Sequence, residues 1–283
     1  QDELAVIEEF VELNKDYREA VVLTKEETLA KSAATNANGL LASLWSPTEL
    51  IVDPREAIWK LPAYLTSKYG IQFHFNKAVN RIEYPKVYTG KEVHEADVVF
   101  VCSGADFETL YPENYSASGI TKCKLQMLRT TPQEDNWQIG PALSAGLTLT
   151  HYDAFAACES LKTLNERINR EMPEYVKWGI HVMISQNGLS EITIGDSHEY
   201  GLGLDPFDKE YINKLILDYL ATFSKVRNLN IAQTWNGTYA KLLGKSEFVA
   251  QPESGVTIIN GLSGAGMTLS FGLAEEVVAS VLG

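Results

Sequence analysis

The order of apolar and polar residues along the chain changes period several times. Leu4, Ile7, Phe10, Val11 and Leu13 make a helical stripe within Asp2–Tyr17, and Thr24–Ser32 opens with a capping box, Thr24 to Glu27. Asp53-Pro54 offers an N-cap with proline at the first helical position. A helix is predicted from there through Ala57, Leu61, Leu65 and Tyr69 to Gly70. The period then drops to two. "IQFHF" alternates, "AVNRIEY" continues extended, "KVYTGKEVHEA" reads as a hairpin, and "DVVFVCSGAD" is a continuous apolar run of the kind buried on both faces of a parallel sheet.

From Lys122 the strand-like segments "KLQMLRT", "GLTLTHY", "HVMISQ" and "EITIGDS" alternate with helical patterns at Ala154–Glu171 and Asp208–Phe223, which predicts a region dominated by antiparallel sheet. "GVTIINGL" then returns to the buried-strand style, followed by a glycine-rich turn and a helix over Ser270–Leu282. The predicted fold class is mixed α/β and α+β. A discontinuous α/β domain covers 53–115 and 251–283, and an antiparallel domain covers 1–52 and 116–250.

Composition narrows the function classes. A length of 283 residues suffices for one large or two ordinary domains. The formal charge of −13, with no Lys/Arg cluster, argues against nucleic acid or an anionic membrane surface as partner. Cys102, Cys123 and Cys158 are an odd number with no CxxC spacing, so neither a disulfide framework nor a zinc site is expected, and a reducing cytoplasm fits best. Apolar runs such as Val98–Cys102 and Val256–Ile259 fall far short of the roughly 20 residues of a membrane helix, so no span is expected. The chain opens on Gln1 within a charged amphipathic helix, which creates the expectation that further residues precede it.

The densest glycine pattern is "NGLSGAGMTLSFGLAEEVVAS", Asn260–Ser280. A strand, a glycine turn and a helix N-terminus together present unpaired backbone N–H groups and about half a positive charge, suited to an anionic ligand atom. Gly261, Gly264 and Gly266 would admit a ligand close to the backbone, Met267 and Thr268 would start the helix, and a positive φ is expected at Gly264 or Gly266. The other reading is that these glycines only let strand and helix approach. The spacing is not the GxGxxG of a dinucleotide fold. "GLGLD" at Gly201–Asp205 reads as a loop.

The segments "VDPREAIWKL", "AVNRIE", "ADVVFVCSGAD", "KLQMLRT", "ITIGDSHEYG", "WNGTYAK" and "IINGLSGAGMTLSFGLAEEV", in this order, resemble the D-amino-acid oxidase/glycine oxidase/sarcosine oxidase superfamily of FAD-dependent amine oxidoreductases. "LWSPTEL", "GDSHEYG" and "GAGMTLSFGLAEEV" are similar to a bacterial branch associated with aminophosphonates. The resemblance implies a partial FAD-binding Rossmann-like domain with an inserted antiparallel-sheet substrate domain. It implies oxidation of a small amine, by hydride transfer to FAD, with dioxygen or another electron acceptor as partner. It also implies that Ser103, Gly104 and Ala105 pass the cofactor's diphosphate side, that the Val79 main chain meets the adenine, and that Leu262, Ser263, Gly264, Ala265, Gly266, Met267 and Thr268 underlie the pyrimidine end of the flavin, where a helix N-terminus would stabilise the charge of the reduced ring. The family's opening strand, GxGxxG turn and helix have no counterpart here, a difference of roughly 80–90 residues. The corresponding alternative is a fragment or small-molecule binding module without stably held FAD.

Relatives that oxidise amino acids carry an arginine after the tryptophan of a "WxGxRP"-like segment. "WNGTYAK" has Tyr239 there, with Lys241 two residues on as a point charge for an anion. Tyr239 packing on a strand is the simpler alternative. His151, at the end of "GLTLTHY", and His198, in "GDSHEYG", occupy positions where the family's inserted sheet meets the flavin, and either would accept an amine proton or orient a phosphonate. A satisfied structural histidine is the alternative for both. Trp45 would wall the substrate cavity or sit in the core. His74 and His94 read as structural and His181 carries no assignment. "DSHE", Asp196–Glu199, lacks a second histidine at ligand spacing, so no metal is expected.

Overall fold

The computed structural model describes residues Gln1–Gly283. In chain order the elements are α1 (Asp2–Asn14), β1 (Val21–Thr24), α2 (Lys25–Lys31), β2 (Ala42–Trp45), α3 (Pro54–Tyr69), β3 (Arg81–Glu83), β4 (Lys86–Thr89), β5 (Glu92–Glu95), β6 (Val99–Val101), α4 (Pro112–Ser118), β7 (Thr121–Thr130), β8 (Leu143–Ser144) and α5 (Leu147–His151). There follow α6 (Leu161–Glu171), α7 (Pro173–Lys177), β9 (Met183–Gln186), β10 (Ile192–Gly195), β11 (Glu199–Gly201), α8 (Glu210–Phe223), β12 (Ile231–Lys241), β13 (Phe248–Glu253), β14 (Val256–Asn260) and α9 (Gly266–Leu282). The class is mixed α/β with several sheets.

Local signals acted where they stand alone. The capping box of α2 closes in both directions: the Glu27 N–H donates to Thr24 Oγ1 (3.2 Å) and the Thr24 N–H donates to Glu27 Oε2 (2.8 Å). Asp53 Oδ1 accepts from the Arg55 N–H (3.0 Å) at the start of α3. Three segments differ from the periodicity reading. Ile71–Phe75 forms no strand, because alternation defines faces but a strand needs a ladder partner; Phe73 and Phe75 instead stack on each other at 5.9 Å. "GLTLTHY" is helical at Leu147–His151. Leu147, Thr148 and Leu149 are all buried there, so the sequence alternation did not mark two faces. Within Ala154–Glu171 only Leu161–Glu171 is α-helical, after a 3-10 turn at Asp153–Phe155.

Two compact units result. The first contains Gln1–Leu61, Leu125–Glu199 and Asp205–Gly237. In it β10 pairs antiparallel with β7 and β9, and β9 pairs with β8. Its core joins Ile212, Ile216, Tyr219 and Leu220 of α8 to Leu128, Ile184, Ile192 and Ile194 of the sheet, with Val6, Ile7 and Phe10 of α1 and Leu164 and Ile168 of α6. The second contains Pro62–Lys124, Tyr200–Leu204 and Thr238–Gly283. Here β14 pairs antiparallel with β13 and parallel with β6, and β3, β4 and β5 form a separate antiparallel sheet. Val101, Phe107, Tyr115, Ile120, Val256 and Ile258 lead its smaller core. The run in β6 is buried only at Val101, because β6 is an edge strand and Phe100 stays exposed.

Ser263–Leu282 is long and apolar enough to cross a membrane by length and composition, and 11% of that stretch is buried. It contains no long unbroken apolar run, because Gly, Ser and Thr interrupt it without lowering its mean hydropathy much. Glu275 and Glu276 lie near its middle, where carboxylates are costly in hydrocarbon.

Candidate functional site

The parallel pairing of β6 with β14 brings the carboxyl ends of both strands side by side, the position at which open α/β sheets bind ligands. Two loops leave from there: Cys102–Ala105 after β6 and Gly261–Ala265 after β14. Asn260 ties them together. Its Nδ2 donates to the Gly104 carbonyl (2.9 Å) and lies 3.3 Å from Tyr115 Oη, and its Oδ1 accepts from the Gly261 N–H (2.7 Å). The Ser103 hydroxyl is engaged inside its own turn, donating to the Asp106 carbonyl (2.8 Å) and meeting Tyr115 Oη (2.8 Å). Ser103 therefore shapes the turn, while Gly104 is exposed and Ala105 half-buried.

The glycine requirement falls on a different residue from the one expected. Gly261 has φ +74°, and a Cβ there would lie 3.2 Å from the Phe248 nitrogen and 3.3 Å from Phe248 Cβ. Gly264 and Gly266 have no positive φ; the left-handed residue within the turn is Ser263, at φ 58°. Ser263–Ala265 forms a 3-10 turn that leads into α9 at Gly266, one residue before the expected Met267. Gly264, Met267 and Thr268 are exposed, and Leu262, Ser263, Ala265 and Gly266 are half-buried.

Tyr239 and Lys241, both on β12, lie against this loop. A Cβ on Gly264 would sit 3.5 Å from Tyr239 Oη, and Lys241 pairs with Leu262 in an isolated antiparallel bridge. Val79 is half-buried in the irregular segment before β3. Trp45 ends β2 in the first unit, with Lys31 Nζ 4.2 Å from its ring centroid, a cation–π pair.

His151 and His198 also belong to the first unit, and there they meet a third histidine that local spacing did not single out. The His151 ring stacks on His181 at 3.8 Å and lies 4.4 Å from His198, and His181 and His198 are 5.2 Å apart. His151 ends α5, His181 precedes β9 and His198 precedes β11. The Gly179 carbonyl lies 2.8 Å from His198 Nδ1, and Gly179 itself has φ +53° with a would-be Cβ only 2.8 Å from His198 Cβ. Asp196 completes the group. Its N–H donates to the His181 carbonyl (2.9 Å), and its Oδ1 lies 3.3 Å from His181 Nε2. That close contact does not meet hydrogen-bond geometry, which leaves Asp196 Oδ1 buried without a partner, and His181 Nδ1, on the other side of the ring, is likewise buried without one. Burial raises the Asp196 carboxyl to about 7. Burial, then the neighbouring His151 and His198, hold His181 well below the ordinary imidazole value.

The residues at the β6/β14 loops fit a flavin dinucleotide. A Cβ on Gly104, at φ +62°, would meet nothing within 4 Å, and the nearest atoms to a Cβ on Gly264 and Gly266 are at 3.5 and 3.8 Å, so the surface is open to close approach. The N-terminus of α9 adds backbone N–H groups for an anionic edge. An open depression lined by Ala117, Leu242, Lys245 and Phe248 includes none of these residues.

Comparisons with known proteins identify the fold and the family. Among solved structures, the L-proline dehydrogenase from P.horikoshii superposes with a TM-score of 0.68 at 20% identity, over 91% of this chain and 63% of that one. The glycine oxidase from Geobacillus kaustophilus gives 0.63 at 15% identity, over 95% and 64%. An L-alpha-glycerophosphate oxidase from Mycoplasma pneumoniae with FAD bound gives 0.63 at 16%, over 98% and 70%. The chain thus spans less than two thirds of the length of the first two structures. No curated protein sequence matches it. The family profile described as DAO, FAD dependent oxidoreductase, matches residues 1–280, so the chain belongs to the DAO family of FAD dependent oxidoreductases, whose cofactor is FAD.

Proposed function

We propose that this protein oxidises the C–N bond of a small amine, with FAD held by the loops after β6 and β14. When bound, the flavin supplies the two-electron acceptor for that bond, and hydride transfer is the form proposed. The observation that carries the reading is the placement of Tyr239 and Lys241 against Leu262 and Gly264 at the open glycine turn. Gly104, Ala105 and Leu262–Thr268 would hold the cofactor by backbone, with Asn260 fixing the two loops relative to each other.

Tyr239 and Lys241 also define the proposed substrate anion. Without an arginine fork, a carboxylate loses a charge-assisted pair worth roughly 1.5–3 kcal/mol, about ten- to a hundredfold in binding. A tetrahedral phosphonate, with up to two charges and three acceptor oxygens, suits a hydroxyl donor and an ammonium point charge. An aminoethylphosphonate-like amine is therefore the proposed substrate, and an amino acid is the competing one. Comparison of kcat/KM for 2-aminoethylphosphonate, glycine, sarcosine and a D-amino acid on the FAD-loaded protein tests this. A clear preference for the carboxylates removes the phosphonate assignment, and absence of flavin bleaching with every amine removes the oxidation reading itself.

A further inference from the structure

The His151, His181 and His198 cluster has no part in the flavin loops, which belong to the other unit. Its three imidazoles bring their ligand-type nitrogens within 4.8 Å of one another. Two further observations show how those nitrogens are oriented. Gly179 accepts at His198 Nδ1 (2.8 Å), which puts the proton on that nitrogen and the lone pair on Nε2. The Asp196 carboxyl lies beside His181 Nε2 (3.3 Å), and Nδ1 is the His181 nitrogen buried without a hydrogen-bond partner. A ligating histidine whose other nitrogen faces a carbonyl or a carboxyl is the arrangement that supports metal binding.

His181 Nδ1 and Asp196 Oδ1 are also buried without a hydrogen bond. His181 is 2% exposed, and a buried ligand-type nitrogen with no hydrogen-bond partner, next to a carboxyl oxygen in the same condition, is a place where a cation would satisfy both. The atoms are compatible with a small cation: a triangle of 4.8 Å sides puts its centre about 2.8 Å from each corner, and a shift of under about 1 Å per nitrogen reaches zinc–imidazole length.

We propose that His151, His181 and His198 form a site for a divalent transition-metal ion of the zinc class, with Asp196 as the neighbouring carboxylate that orients His181 and offsets the charge. Imidazole nitrogens select zinc, cobalt or copper over magnesium or calcium. The ion would clamp the end of α5, the segment before β9 and the turn after β10.

The test uses chelator-stripped protein titrated with Co2+ and then Zn2+, with bound metal counted by atomic emission. One Co2+ per chain, intense visible d–d bands of a low-coordinate ion and displacement by Zn2+ are the expected result. His151→Gln, at a half-buried position that should keep its fold by circular dichroism, should weaken Co2+ binding at least about a hundredfold, and Asp196→Asn roughly 10–100-fold. The His74→Gln/His94→Gln double variant, which removes another histidine pair 5.2 Å apart, should bind as wild type. Uptake below about a tenth of an equivalent, or uptake that survives His151→Gln unchanged in the folded variant, overturns the proposal. Loss of uptake in the His74/His94 variant overturns it as well. None of these outcomes bears on flavin binding, so the metal and flavin readings fail separately.

Discussion

The two units bury their helices to different depths. In the first, the fourteen-residue α8 places Ile212, Ile216, Tyr219 and Leu220 in a continuous core with sheet residues Leu128, Ile184, Ile192 and Ile194. In the second, the seventeen-residue α9 buries only Leu273 and Val277 and leaves Met267, Leu269, Phe271, Val278 and Leu282 exposed. Apolar content does not explain the contrast, because α9 is the more apolar helix. Burial depends on what the fold places opposite. The same difference separates the candidate sites: His181 and His198 of the histidine cluster are buried and His151 is half-buried, whereas the glycine loop lies at the open end of two parallel strands.

Truncating the deeper core should have the largest effect. Ile194 is fully buried among α8 and the sheet, and Ile194→Ala should lose about 2–5 kcal/mol in denaturant unfolding, whereas the equivalent truncation of exposed Val278 should change stability by under about 0.5 kcal/mol. Equal losses at both positions would remove the contrast in burial.

Next comes the turn. Gly261→Val adds a β-branched side chain at φ +74° against the Phe248 backbone and should lose about 2–4 kcal/mol, together with FAD. Gly264→Val has no positive φ to strain, so it should lose FAD while the apoprotein's Tm stays nearly unchanged. A Gly264→Val protein that keeps its flavin spectrum would make the loop a packing turn. Asn260→Ala removes a buried donor from the Gly104 carbonyl and should lose about 1–3 kcal/mol, with FAD affinity at least about tenfold weaker by fluorescence titration.

The smallest effect concerns the Asp2–Arg167 ion pair, which joins α1 to α6. Arg167→Met should lose about 1 kcal/mol at pH 7, given that both side chains are partly exposed. The hydrogen bond from Arg167 holds the Asp2 carboxyl below its ordinary 3.8, against an opposing contribution from burial. A lowered carboxyl contributes stability that is fully present above the unfolded value and is lost as pH falls through the folded one. The gap between wild type and variant should therefore be constant above about pH 4 and close below it, and urea midpoints against pH measure that gap.

Contiguous signals were readable along the chain. The capping box at Thr24–Glu27, the Asp53-Pro54 helix start, the β4–β5 hairpin and the strand–turn–helix of Val256–Leu282 each depend on interactions within a few residues, so the chain carries them wherever it is placed. The glycine turn and its family resemblance were legible for the same reason. The alternating "IQFHF" and "GLTLTHY" segments were misread because alternation specifies faces without specifying a partner strand. Only the tertiary structure decided that Gly261 rather than Gly264 needs its conformation, since Phe248 on the neighbouring strand supplies the constraint. Only the tertiary structure brought together His151, His181, His198 and Asp196. Their separations of 30 and 17 residues from His151 to His181 and from His181 to His198 match no ligand spacing, and a site built by chain crossings leaves no local pattern to read.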